Sequence, residues 1–238
     1  MKIPAARLAQ PLQIKSDTVS TVLHIETRFI TPPARIQSAI SGHLKGHSAC
    51  HVMLTGGRSA GQLYSAWAAS PEYPANLNGV RFYFGDERCV SPDHPESNHG
   101  MAMRSLFPDG KPEGVQIHRM EADSANVEAA ADRYAALLPE VIDVLLLSLG
   151  EDGHIASLFP HSAALRETRR RVVPVTGPKS PFQRLSITPP VIQSARQVFV
   201  MALGGQKRAV YEEALRDPMD INTIPARLVL NRTWIFGD

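Results

Sequence analysis

The chain has 238 residues, 43% of them hydrophobic, and its 25 basic and 23 acidic residues leave a net charge of +2. That length supports a substantial core, and the near-even charge balance argues against a nucleic-acid surface. Two cysteines, Cys50 and Cys89, with no CxxC spacing, are too few for a disulfide framework. The opening MKIPAARLAQPLQIKSD lacks an apolar signal core, and no run approaches the ~20 apolar residues of a membrane span. A soluble protein of the reducing cytoplasm is expected, with no membrane or nucleic-acid partner.

Strand and helix alternate along the chain. A helix is predicted over residues 32–44, with prolines at its start and Gly46 just past its end. A short strand at 51–54 leads through Thr55-Gly56-Gly57-Arg58-Ser59 into a helix near 60–69. A strand at 80–84 ends at Gly85-Asp86-Glu87-Arg88, and a helix follows at 98–106. Residues 116–120 read as a strand and 125–138 as an alanine-rich helix. The apolar run at 141–147 suits a strand buried on both faces. Strands are expected at 171–175, 185–188 and 197–203, then a helix at 206–215 and a closing strand at 232–236. Stretches 70–79, 107–114 and 174–182 read as loops. Repeated strand–helix units imply an α/β fold, Rossmann-like, with a mainly parallel sheet and helices on both faces. Residues 1–30 stand as an N-terminal extension, and 31–238 as one domain.

The chemistry gathers where strands end. Ligands of open α/β sheets bind beyond the carboxyl ends of the strands, and there the buried run stops at Gly150 with Asp152 and His154 immediately after it. A histidine so placed can serve as a general base. Gly56 and Gly57 let backbone N–H groups approach an anion at a helix N-terminus, although the spacing is neither a P-loop nor GxGxxG. Arg88 offers a cation that Asp86 or Glu87 would orient; Asn98 caps or precedes the next helix. Leu203-Gly204-Gly205-Gln206-Lys207 repeats the strand–glycine–helix design. Its Lys207 opposes the helix dipole, which a bound anion would justify. Arg184, opening a strand, is one more cation. Ser157, with no activating partner in view, reads as structural. His47, Cys50 and His51, like His94 with His99, lack zinc-site spacing, so no metal is expected. The run Arg166, Arg169, Arg170 and Arg171 reads as a solvated face. Together these segments describe a site for a small phosphorylated molecule with acid–base chemistry and no nucleotide or hydride-carrier fingerprint.

LGEDGHIASLFP at 149–160, GDERCVSPDHPESNHGMA at 85–102, TGGRS at 55–59, GGQKRAV at 204–210 and the closing PARLVLNRTWIFGD resemble the 6-phosphogluconolactonase family over roughly residues 30–238. The resemblance implies a Rossmann-like sheet shared with sugar-phosphate deaminases and isomerases. It also implies hydrolysis of 6-phospho-D-glucono-1,5-lactone to 6-phosphogluconate, the second step of the oxidative pentose phosphate pathway, without a cofactor. Carried onto this chain, it makes His154 the base, Asp152 its orienting partner and Arg88 a substrate ligand. Gly56, Gly57 and Ser59, with Arg184 and Lys207, would cradle the phosphate. Two positions depart from the pattern: Ser148 stands where the family often has glycine, and Arg58 sits inside the glycine loop, where it adds a phosphate contact or faces solvent. An amino-sugar-phosphate deaminase/isomerase shares DGHIA but continues with a carboxylate, where this chain has Ser157-Leu158-Phe159-Pro160. A non-catalytic sugar-phosphate sensor would ordinarily be tethered to a DNA-binding helix-turn-helix, for which the first ~30 residues are too few. A monomer or small homo-oligomer is expected.

Overall fold

The structure, a computed structural model, describes residues 24–26, 31–71, 73 and 77–237. The N-terminal extension expected over 1–30 therefore lies outside the described residues except for 24–26. Among the described residues, seven strands form one parallel sheet. Its spatial order is β1 (His24–Glu26), β10 (Thr233–Gly237), β9 (Gln197–Leu203), β6 (Val144–Ser148), β2 (Cys50–Leu54), β3 (Val80–Phe84) and β5 (Gln116–Ile117). Central β6 is register-paired with β9 from Val144↔Gln197 to Ser148↔Met201, and with β2 at Val52↔Val144 and Met53↔Leu145. Val144 to Leu147 are all buried, as a strand covered on both faces requires. The unbroken apolar run replaces the alternation that a half-exposed strand would show.

Helices α1 (Thr31–Leu44), α2 (Arg58–Ala68), α3 (Asn98–Ser105), α4 (Val127–Leu137) and α6 (Gly205–Arg216) occupy the expected positions within a few residues. Ser97, not Asn98, caps α3: its hydroxyl accepts from Gly100 N at 3.0 Å, which leaves the Asn98 side chain free for other work. Helix α5 (Pro189–Ser194) was not expected; its two leading prolines supply the fixed φ and missing N–H that a first turn tolerates.

The main departure is a second sheet. Strands β4 (Asp86–Arg88), β8 (Gln183–Ile187) and β7 (Val172–Thr176) pair antiparallel, in that spatial order. Two of these strands were anticipated as part of the parallel sheet. The third was hidden because three consecutive charged residues carry no apolar period. Pro174 lies within β7, which is an edge strand, where a missing N–H is tolerated. Gly85 joins the two sheets: its N–H donates to Leu54 O at 2.9 Å, and its carbonyl accepts from Ile187 N at 2.8 Å. The small sheet therefore stands on the carboxyl edge of the large one. At the opposite edge the buried Asp143 accepts from His51 N at 2.9 Å and from Arg196 Nε at 3.1 Å, tying together the starts of β2, β6 and β9.

Leu146 is wholly buried in the central strand. Leu146→Ala is expected to cost about 2–5 kcal/mol. In urea the midpoint should fall at unchanged slope, and an unchanged midpoint would contradict this picture of the core.

Candidate active site

The segment after β6 is wound tightly. Gly150 N donates to His154 O at 2.8 Å and Gly153 N to Gly150 O at 3.2 Å, closing a loop that returns His154 to the sheet edge. Gly153 has φ +81, and the non-glycine residues Ala156 and His161 have φ +49 and +61, a left-handed backbone that side chains resist. Gly150 is required for a different reason. A Cβ there would lie 2.0 Å from His154 Nδ1, so the imidazole packs where only a glycine leaves room.

Asp152 holds that ring. Its Oδ1 pairs with His154 Nδ1 and also accepts from His154 N at 3.2 Å. Burial pushes the Asp152 carboxyl up, but the hydrogen bond and charge of His154 outweigh it and hold the group at about 2. An ionised carboxylate only accepts, so Nδ1 is the donor and the lone pair of the neutral ring lies on Nε2. Phe159 packs against the imidazole at 4.7 Å between centroids.

The small sheet brings the cations. Arg88 and Arg184 are register partners across β4 and β8, two like charges directly opposite one another. Arg184 is 7% exposed, although a strand-end arginine is ordinarily a surface residue. Burial and the neighbouring Arg88 both push its guanidinium down. Its Nε donates to Pro181 O at 3.1 Å, and its guanidinium lies 5.4 Å from the centre of the Phe159 ring. Arg88 Nη1 is held by the Glu96 carbonyl at 2.6 Å and the Glu96 carboxylate at 3.1 Å, while its buried Nε has no partner among the described residues. Neither Asp86 nor Glu87 orients the Arg88 guanidinium, contrary to expectation. The pleat puts Glu87 on the opposite face, where it accepts from the N–H groups of Asn98 and His99, both at 2.8 Å. Asp86 pairs instead with Asn98 and Ser157.

The glycine loops flank this centre, because β2, β6 and β9 are adjacent and end at the same edge. Gly57 (φ +95) and Gly204 (φ +102) precede α2 and α6, and neither helix start has a side-chain cap. First-turn N–H groups left without a side-chain cap suit an anion, although Gly204 N itself donates to Gly237 O at 2.7 Å. Gly56 lies directly under the Asn98 carboxamide, 2.0 Å from where a Cβ would stand to Oδ1. Lys207 reaches back to donate to Leu149 O at 2.8 Å. Burial pushes its ammonium down, while Glu151 and Asp152 pull it up. Arg58 is exposed and Ser59 half-buried, and among the described residues no side-chain hydrogen bond links either to the arginine pair. An open cavity of about 580 Å³ adjoins the centre, lined by Asp152, Phe159, His161 and the hairpin residues Pro174 to Pro178. Sequence reasoning gave no part in the site to His161 or to Lys179, the latter close enough to Lys207 to depress it. It also gave Asn98 and Ser157 no part in the site. A lysine between two prolines in a strand-joining loop was the available signal for Lys179. No group of three His, Cys, Asp or Glu side chains among the described residues is arranged to hold a metal ion.

The family model for glucosamine-6-phosphate isomerases/6-phosphogluconolactonase matches residues 32–236. A 6-phosphogluconolactonase of Streptomyces coelicolor is 36% identical over 219 residues, covering 84% of each chain. One from Homo sapiens is 36% identical over 178 residues, covering 70% of this chain and 67% of its own. The solved 6-phosphogluconolactonase of Shewanella baltica superposes with a TM-score of 0.82, covering 91% of this chain and 98% of that one, and at 22% identity it speaks for the fold alone. The chain belongs to the glucosamine-6-phosphate isomerase/6-phosphogluconolactonase family. Within that family its sequence similarity runs to the 6-phosphogluconolactonases.

Gly150→Ala should leave a folded protein whose turnover falls at least about 100-fold, since even a 1 Å displacement of a reacting group has that effect. Activity within threefold of the parent would show that the ring position does not matter. Because the Asp152 carboxyl is depressed, its contribution to stability is present above its ordinary value of 3.8 and is lost as pH falls through about 2. Carboxyl titration by NMR should find it near that lower value and find it raised in His154→Ala; no movement would break the assigned pair.

Proposed function

We propose that the protein hydrolyses 6-phospho-D-glucono-1,5-lactone to 6-phosphogluconate, the lactonase step of the oxidative pentose phosphate pathway. The observation that carries this reading is the pairing of an Asp152-oriented His154 with two opposed, half-desolvated arginines at the same sheet edge. His154 Nε2 removes a proton from water as its oxygen bonds to the lactone carbonyl carbon. The tetrahedral intermediate then expels the ring oxygen, which takes that proton from the imidazolium. The new carboxylic acid ionises and releases one proton to solvent. Asp152 keeps Nε2 free and stabilises the imidazolium between the two transfers.

The 6-phosphate dianion fits the Arg88–Arg184 slot, because guanidinium groups match phosphate geometry and an anion relieves two facing positive charges. Gly56, Gly57 and Ser59 at the start of α2, with Lys207, add donors and positive charge on the neighbouring loops. A δ-lactone is reactive, so a positioned base worth about 10²–10⁴-fold, together with orientation by the phosphate, meets the demand without a cofactor. A deaminase would place a carboxylate just after Ala156. Here Ser157, Leu158 and Phe159 are buried and provide none. Residues 31–238 act as one catalytic domain. No helix of the described residues is long and apolar enough to cross a membrane. The two unpaired cysteines fit the reducing cytoplasm.

Stopped-flow proton release on freshly generated 6-phosphogluconolactone tests the base. The wild-type protein should accelerate it strongly, and His154→Ala should lose at least about 100-fold in kcat. Equal rates would remove His154 from the mechanism, and no acceleration by wild type would defeat the lactonase reading. Arg184→Ala should raise KM about 10- to 100-fold, the loss of a charged hydrogen-bonded contact; an unchanged KM would move the phosphate elsewhere.

A further inference from the structure

Ser157 lies three residues beyond His154 and is wholly buried. Its hydroxyl donates to Asp86 Oδ2 at 2.6 Å, and its N–H donates to Ser186 Oγ at 3.2 Å. Asp86 and Ser186 are themselves register partners on β4 and β8. Each stands two residues from an arginine, Asp86 from Arg88 and Ser186 from Arg184, so each shares a pleat face with that arginine. The catalytic loop thus grips both arginine strands at equivalent points through a single residue. The second Asp86 oxygen accepts from Asn98 Nδ2 at 3.1 Å, and the same amide donates to Asp86 O at 2.9 Å. The Asn98 carboxamide in turn fills the space over Gly56.

One buried carboxyl, 5% exposed and without an ion-pair partner among the described residues, therefore joins the glycine loop, both arginine strands and the histidine loop. Burying such a group is costly, and apolar side chains of similar size would hold the loops together with less penalty. What a directional hydrogen bond adds is a fixed distance. We propose that Ser157 and Asp86 are positioning residues that set the span between His154 and the Arg88–Arg184 slot. Energy from binding the remote phosphate is then delivered as orientation at the lactone carbon. This rests on the lactonase reading above, and neither residue touches the reacting atoms.

The test is a double-mutant cycle on proton release from 6-phosphogluconolactone, with thermal midpoints measured alongside. Ser157→Ala should lower kcat about 10- to 100-fold with KM nearly unchanged, because the slot itself is intact. In an Arg184→Ala background the same change should cost less than about threefold, because a phosphate held from one side of the slot only is no longer fixed in register with the base. Ser186→Ala removes the other tie and should show the same dependence on Arg184. It also serves if Ser157→Ala fails to fold. An equal loss in both backgrounds would mark these residues as merely structural and overturn the proposal, as would no loss in either. Wild-type protein that does not accelerate proton release would instead overturn the lactonase reading itself.

Discussion

Two arginines face each other across one strand pair, and the site is arranged around that repulsion. Arg88 and Arg184 occupy opposite positions on β4 and β8, both largely withdrawn from water, and among the described residues Arg88 alone of the two is ion-paired, to the more exposed Glu96. Like charges placed directly opposite destabilise a strand pair, and desolvation makes the repulsion stronger. Within the chain it is relieved in part, by the nearby carboxylates of Asp86, Glu96 and Glu87 and by the carbonyls of the 179–181 hairpin tip. On the proposed reading, a phosphate dianion seated between them relieves it further. The folded state thus holds like charges face to face, and in the proposed function their relief by substrate would account physically for affinity for a phosphorylated ligand.

The rest of the architecture serves to set that slot against a histidine. A parallel sheet gathers its strand ends on one edge, and β6, flanked by β2 and β9, delivers the His154 loop to the middle of it. The antiparallel sheet is raised onto the same edge through Gly85, whose N–H and carbonyl bond to one sheet each. Small residues then decide fine positions. Gly150 makes room for the imidazole and Gly56 for the Asn98 amide, and in both places a single methyl group would collide with the functional side chain. Among the described residues, left-handed backbone at non-glycine positions falls at Ala156 and His161, in and beside this loop, as expected where packing holds a segment in a geometry set by chemistry rather than by local preference.

Much of this was legible in the sequence because its signals are local. The apolar run ending at Gly150, the glycine pairs before helices and the Asp152–His154 doublet each announce a strand end within a few residues. Three things were not legible, each because it depends on pairing across long separations. The strand at Asp86–Arg88 exists through its ladder to Gln183–Ile187, nearly a hundred positions away, and carries no periodic pattern of its own. The burial of Arg184 follows from that ladder. The partnership of Ser157 with Asp86, 71 residues apart, assigns a use to a serine that looks inert in isolation. The expectation that Asp86 or Glu87 would steer Arg88 failed for two reasons: alternation along the strand sends Glu87 to the opposite face, and Asp86, on the same face as Arg88, is taken up by Asn98 and Ser157.

The central claim is spatial: the phosphate sits between Arg88 and Arg184 while the carbon that reacts lies within reach of His154 Nε2. A crystal structure of the protein with 6-phosphogluconate tests it most directly. The account predicts phosphate oxygens within hydrogen-bonding distance of both guanidinium groups and the product carboxylate beside the imidazole. A product bound with its phosphate away from the arginine pair, or with its carboxylate far from His154, would contradict it.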